Sequence, residues 1–324
     1  MKSTIKNKPL PKKKIWIKRG IWLLVAIFIL MNVMAIFHSY KLTHFSNGDS
    51  ERTKDAKTLT TGEKIKTLVF GVSNPRPRNK TFPAGEYQTI RLKSNKEIEC
   101  WLIKAPDPKG TVVLFHGYGG EKSLMLDKAE VFRELGYHTF LVDFMGSGGS
   151  EGNRTTIGYA EAEQVRSCFE YLKNAGEQNI YLFGTSMGAV AIMKAINNDQ
   201  IHPKGIIIEC PFGTMYETVC ARFRNANAPT FPMAALLVFW GGVQNGYWAF
   251  GHNPVDYASN INCPTLLLYG AKDDRVSRQE IDRIFANLAG PKRLKIYPGA
   301  GHENFLIKYK SEWTQDVIQF LNAY

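Results

Sequence analysis

Three runs in this chain, Val112-Val-Leu-Phe115, Ile206-Ile-Ile208 and Leu266-Leu-Leu268, are apolar at every position. A strand with one wet face alternates apolar and polar residues, so a strand apolar throughout must be covered on both faces. That requirement calls for a parallel sheet between two helical layers. Five further β-rich runs, at about 87–92, 98–104, 139–142, 180–183 and 294–297, share the chain with them. Helical stretches fall between the runs at about 121–135, 157–173, 187–198, 277–289 and 308–322. The alternation predicts an α/β domain over residues 86–324, built on a mostly parallel, doubly wound sheet of about eight strands. In such sheets reactive groups gather at the carboxyl ends of the strands, which is where chemistry should be sought.

One interval breaks the rhythm. More than fifty residues separate the strand ending at Glu209 from the one starting near Thr265, and they include Phe231, Phe239, Trp240, Tyr247, Trp248 and Phe250. An insertion of that length in a compact domain is expected to serve as a lid, placed at about 211–255, or as a helix pair beside the core.

Gly184-Thr-Ser-Met-Gly188 fits G-x-S-x-G, and it joins the apolar run Ile180-Tyr-Leu-Phe183 to a helical stretch beginning Ala189-Val-Ala-Ile. The pattern alone is common. Between a strand and a helix it describes a tight turn that lifts a serine hydroxyl above the sheet and tolerates only small neighbours. Ser186 is therefore the candidate nucleophile.

A serine hydroxyl needs a base and an orienting acid, expected here in the chain order Ser, Asp/Glu, His. His302 follows the last strand within Gly299-Ala-Gly-His302, and Asp273 follows the strand 265–269 within Gly270-Ala-Lys-Asp273. Both stand at carboxyl ends of strands, in the required order. Asp274 and Glu209 are the other acids in reach of the same edge. The loop His116-Gly-Tyr-Gly-Gly120 follows the strand 111–115 and is placed to supply one backbone N–H to a developing oxyanion, assigned to Tyr118. The second N–H is that of Met187, directly after the nucleophile. His116 is expected to shape this loop.

With Asp143-Phe-Met-Gly-Ser-Gly-Gly-Ser150, a D-x-x-G-x-G-x-S block, these motifs resemble the α/β-hydrolase superfamily, and within it the small-lid, membrane-anchored serine-aminopeptidase-like or monoacylglycerol-lipase-like hydrolases. The resemblance spans about residues 86–324. It implies the α/β-hydrolase fold with a short lid, and ester, thioester or amide hydrolysis without metal or organic cofactor. It also favours Asp273 as the acid, through the spacing of Gly270, Asp273 and Val276, and gives the Asp143 block a structural place beside the site. The expected activity is cleavage of a carboxylic ester, lipid-like or of medium chain length, through an acyl-enzyme. Peptidase, thioesterase and acyltransferase chemistry use the same triad, and a non-catalytic binding protein is the remaining class.

Ahead of this domain, Ile21 to Phe37 is a run of seventeen residues whose only polar member is Asn32. About 20 residues usually cross a bilayer core, and the missing polar face argues against a buried core helix. No small-x-small site follows, so a retained anchor over about 21–38 is expected rather than a cleaved signal. The formal net charge of +12 is concentrated in front of it. Of 41 basic residues, eight fall in residues 1–20 with no acid among them, leaving 33 against 29 acidic residues elsewhere. This basic tail is expected to stay in the cytoplasm, with the catalytic domain on the opposite side of the membrane. A folded domain so near neutrality is not expected to bind nucleic acid. Residues 39–85 read as a polar spacer with a short helix near 64–70 packed on the domain. The five cysteines, without CxxC spacing, suggest buried thiols rather than a zinc site or disulfide framework.

Overall fold

The computed structural model describes residues 12–48, 51–54, 57–199 and 201–324. Most of the basic tail, residues 1–11, lies outside them.

Eight strands form one sheet: β1 (Gln88–Leu92), β2 (Ile98–Ile103), β3 (Thr111–Phe115), β4 (His138–Val142), β5 (Ile180–Thr185), β6 (Gly205–Glu209), β7 (Thr265–Gly270) and β8 (Lys292–Tyr297). Their spatial order is β1-β2-β4-β3-β5-β6-β7-β8. The first three in that order pair antiparallel, and the remainder run parallel. Every residue of β3, β6 and β7 is buried, as their unbroken apolar runs require.

The helices are α1 (Lys12–Thr43), α2 (Thr61–Phe70), α3 (Leu126–Glu134), α4 (Glu161–Asn174), α5 (Met187–Asp199), α6 (Met215–Asn225), α7 (Met233–Asn245), α8 (Pro254–Tyr257), α9 (Arg278–Asn287), α10 (Phe305–Lys308) and α11 (Lys310–Ala323). Two apolar clusters cover the two faces of the sheet. One gathers Val113, Phe115, Val165 and Ile192, and the other Val112, Leu114, Phe132 and Trp313. Capping agrees with the local sequence: Ser277 and Glu280 close a capping box on α9, and Thr60 and Glu63 do the same on α2.

The interval 211–255 folds as α6, α7 and the start of α8, over the carboxyl edge of β6. The N-terminal helix runs beyond the seventeen apolar residues at both ends, and only 6% of its most apolar window is buried within the protein. Its length and composition suffice to cross a membrane, and its exposure is unlike that of a core helix.

The described residues that follow α1 pack on the domain at several points. Phe45 is buried, its N–H donates to Asn153 O across 2.6 Å, and Thr155 N–H reaches Thr43 O at 2.8 Å. Arg76 donates to the carbonyls of Ser150 and Gly152. Backbone donors and acceptors of an extended segment must find partners, and here the domain surface provides them. The helix expected near 64–70 is present as α2, but none of its residues is buried, and it leans on α1 through His38 and Leu68 O, 2.9 Å apart.

Candidate active site

β5 ends at Thr185, paired with Glu209 of β6, and the Ser186 N–H extends the ladder by donating to Glu209 O at 2.8 Å. The chain then turns at once into α5. Ser186 takes a left-handed conformation, φ 51°, which a non-glycine residue keeps only where its surroundings enforce it. The enforcement includes Gly188, where a Cβ would collide with the carbonyls of Phe115 and His116 at the end of β3. Close contact between α5 and β3 is what lifts Ser186 above the sheet.

At the end of β7, Asp273 N–H donates to Gly270 O, and its carboxylate accepts from the N–H groups of Arg275 (2.8 Å) and Val276 (2.9 Å) through Oδ1. These bonds fix the carboxylate and leave Oδ2 free to face the next loop. Lys272 N–H bonds Ala300 O at 2.8 Å, joining that loop to the one after β8. Gly270 permits the approach, since a Cβ there would meet the carbonyls of Ala300 and Gly301.

His302 therefore lies between the other two residues. Its Nδ1 stands 2.7 Å from Asp273 Oδ2, and its Nε2 stands 3.1 Å from Ser186 Oγ. A carboxylate only accepts, so Nδ1 carries the hydrogen and Nε2 is left to accept from the serine hydroxyl. Asp273 has a fully buried side chain and His302 a mostly buried one. The three side chains, 116 residues apart at the widest, form one continuous hydrogen-bonded line.

The other acids sit elsewhere. Asp274 is exposed and pairs with Lys57 at 2.6 Å. Glu209 is buried behind the site, accepting from Trp313 Nε1 at 2.7 Å and from Thr185 Oγ1 at 3.2 Å, with Lys128 Nζ at 4.0 Å. Burial pushes its carboxyl above the ordinary range, with Lys128 opposing. Neither acid bonds His302.

The loop after β3 brings Tyr118 beside the elbow, and Gly117 packs against Thr185 O and the Ser186 Cβ. Met187 opens α5, where an N–H has no helical carbonyl to bond. His116 is buried, donates from Nδ1 to Gly117 O at 2.8 Å and accepts the Phe144 N–H at Nε2. Burial holds its pKa below the usual histidine value, so it stays neutral and props the loop. The Asp143 carboxylate, also buried, takes the Lys122 ammonium together with the N–H groups of Lys122 and Gly149 and the Asn79 amide.

Cys210, Asp273 and His302 each place one metal-ligand type of atom within 4.8 Å of the others. The Cys210 thiol is pushed well above its ordinary pKa, first by burial and then by the Asp273 charge. It stays protonated, while Asp273 and His302 bind each other. The trio presents no open ligand set. All five cysteines are free thiols.

Three contributors escape sequence reasoning. Arg52 donates from Nη1 to Gly119 O at 2.7 Å, and the Tyr118 hydroxyl donates to Leu42 O at 2.6 Å. The first ties the loop of residues 116–120 to the segment carrying Arg52 and Asn74, the second ties it to the end of α1, and no local pattern announces either. Lys128 donates to Asn304 Oδ1 at 2.6 Å, linking Glu209 to the His302 loop. Its signal was available: Lys128 interrupts the apolar stripe made by Met125, just before α3, and by Ala129 and Phe132 on it.

A small apolar cavity lies between the end of α1 and the lid, lined by Leu42, Ile157, Met215, Val219, Leu237 and Tyr247 among others. Ile157 is itself left-handed, φ 58°, held by Thr155 Oγ1 on its N–H and by His252 Nε2 on its carbonyl.

A family model described as serine aminopeptidase, S33, matches residues 106–243. The Bacillus subtilis protein YqkD is 25% identical over 230 residues, 70% of this chain and 75% of its own. The lysophosphatidylserine lipase ABHD12 of Danio rerio is 26% identical over 231 residues, 66% of this chain and 55% of that protein. Among solved structures, the Pyrococcus furiosus esterase Pf2001 superimposes with a TM-score of 0.65 at 20% identity, over 77% of this chain and 97% of that one.

Proposed function

Because the chain belongs to the α/β-hydrolase superfamily, we propose that it is a membrane-anchored serine hydrolase of carboxylic esters. The observation that carries this reading is the line from Ser186 Oγ through His302 to Asp273, at 3.1 and 2.7 Å, on a strained strand-to-helix turn. In this reading Ser186 attacks the acyl carbonyl while His302 takes its proton. Asp273 keeps the imidazole in the tautomer that leaves Nε2 open and stabilises the imidazolium. The N–H groups of Tyr118 and Met187 receive the oxyanion. His302 then protonates the leaving alkoxide and activates the water that releases the acyl group.

The preferred substrate is an ester with a medium-length or lipid-like acyl chain. The apolar, aromatic lid over residues 231–250, in a chain that carries an apolar N-terminal helix, supports this. The two similar proteins named as a lipase and an esterase point the same way. Charge asymmetry around α1 favours a cytoplasmic N-terminus and a catalytic domain across the membrane.

The test is labelling of the full chain in detergent with a fluorophosphonate, with and without Ser186→Ala. Labelling is expected in the first and lost in the second. Persistent labelling would place the nucleophile elsewhere. p-Nitrophenyl esters of rising chain length then report the acyl preference, and a maximum at acetate would count against the lipid-like substrate.

A further inference from the structure

α1 does not leave the domain as a lone stalk. Asn32, the single polar residue of its apolar run, accepts from the Trp240 indole of α7 at 2.9 Å and donates to Phe28 O at 2.8 Å. One to two turns later Gln244 of α7 donates to Ile36 O at 2.8 Å and accepts from Ser39 Oγ at 3.1 Å. On α1 these positions fall near one direction. His38, Phe37 and Lys41, which meet α2, fall near the opposite direction at about 100° per residue. α7 and α2 thus flank the helix on opposite faces, where its apolar run ends.

Both flanking helices leave apolar surface uncovered. α2 exposes Ile65, Leu68, Val69 and Phe70, the first three at the spacing of one helical stripe. From α7 and its ends, Phe231, Phe239, Val243 and Trp248 stand exposed. Isolated exposed apolar residues are ordinary, but a contiguous row around an apolar helix is not.

We propose that α2, α7 and the end of α1 form a collar embedded in the leaflet on the catalytic domain's side of the membrane. The proposal rests on the reading of α1 as a membrane span. Continuity argues for lipid as the occupant, since α2 and α7 both bond α1 within residues 32–39, where its exposed apolar run ends, and both expose apolar side chains there. Depth argues for it too. The Asn32–Trp240 contact lies five residues before Phe37, which is about 8 Å deeper along the helix, and interfacial helices bury their apolar faces by about 5–10 Å. A polar side chain at that depth needs a partner, and the lid provides one. The seam between the two helices is itself apolar, with Leu42 of α1 and Leu237 of α7 lining one small cavity.

The test places a nitroxide on full-length protein in phosphatidylcholine vesicles, in Leu68→Cys and Phe239→Cys, with Leu24→Cys in α1 and Tyr171→Cys on α4 as references. Collision with oxygen is expected to dominate at Leu68 and Phe239, as at Leu24, and collision with a soluble nickel chelate at Tyr171. Nickel-dominated signals at Leu68 and Phe239 would overturn the collar while leaving the anchor in place. A water-exposed label at Leu24 would overturn both, and spin–spin broadening between copies would assign the surface to a second chain and reject lipid. In a parallel measurement, Leu68→Asp is expected to slow hydrolysis of a long-chain ester carried in vesicles by about tenfold. Its rate on a soluble short-chain ester should stay unchanged, and equal losses on both substrates would also overturn the proposal. Lipid-embedded labels in a protein without esterase activity would leave the collar standing and sink only the hydrolase reading.

Discussion

The Tyr118 hydroxyl donates to the Leu42 carbonyl across 2.6 Å, so the last turn of the N-terminal helix holds the loop that borders Ser186. Arg52 closes the same joint from Nη1 to Gly119 O and from Nη2 to Asn74 Oδ1, at 2.7 and 3.0 Å. The end of the N-terminal helix and the segment after it therefore brace the loop beside Ser186.

Arg52→Ala should loosen that brace without touching the triad. Full loss of an oxyanion donor typically costs about 100- to 1,000-fold, so a misplaced one is expected to lower kcat by about tenfold with KM little changed. Steady-state kinetics on a soluble ester in detergent would measure it. An unchanged kcat would show that the loop holds its position alone.

Asp273→Asn should reduce kcat by about 10,000-fold, because the neutral amide no longer enforces the tautomer that leaves Nε2 open. Glu209→Gln should leave kcat close to wild type. It strands the buried Lys128 without a carboxylate and is expected to cost about 3 kcal/mol of stability. Paired kinetics and thermal unfolding of the two variants would separate the roles; the reverse pattern would make Glu209 the acid.

The Asp143 carboxylate gathers four donors in a fully buried position, the Lys122 ammonium among them. Without the carboxylate the buried Lys122 ammonium keeps only Glu99 Oε1, at 2.9 Å, as a hydrogen-bond partner, and the N–H groups of Lys122 and Gly149 and the Asn79 amide lose their acceptor. Asp143→Ala is therefore expected to destabilise the domain by about 3–5 kcal/mol, read as a fall in Tm in detergent. A shift within error of zero would mean that the network adds nothing net.

His252 is fully buried at the base of the lid, donating from Nε2 to Ile157 O and accepting from the Tyr257 hydroxyl at Nδ1, and burial lowers its pKa from 6.5 to about 4. With the folded pKa below the unfolded one, the unfolded chain takes up the proton first. Stability from this group is complete above about pH 6.5 and declines as pH falls toward 4, by about 3 kcal/mol in all. Unfolding free energies across that window should show the slope in the wild type and a flatter one in His252→Gln. Parallel slopes would assign the acid sensitivity to other groups.

Much of this architecture is written locally. A β-run apolar at every position has to be covered on both faces, so Val112–Phe115, Ile206–Ile208 and Leu266–Leu268 dictated a helix-covered parallel sheet. The turn at Ser186 follows from small residues placed between a strand and a helix. The order Ser186, Asp273, His302 could be read from the chain because each residue directly follows a strand whose carboxyl end must face the same edge.

What stayed hidden depends on contacts between distant segments. The bond from Trp240 to Asn32 joins positions 208 residues apart. Arg52, in a stretch that reads as a polar spacer, resembles any solvated arginine until the loop of residues 116–120 arrives beside it. Hydrophobic period and turn chemistry act over one or two turns of chain, and they set which elements form and which faces they bury. Where the N-terminal helix docks, which acid meets the imidazole and what braces the loop at Tyr118 are decided by packing and hydrogen-bond geometry. Those exist only once the sheet has brought its carboxyl edge together.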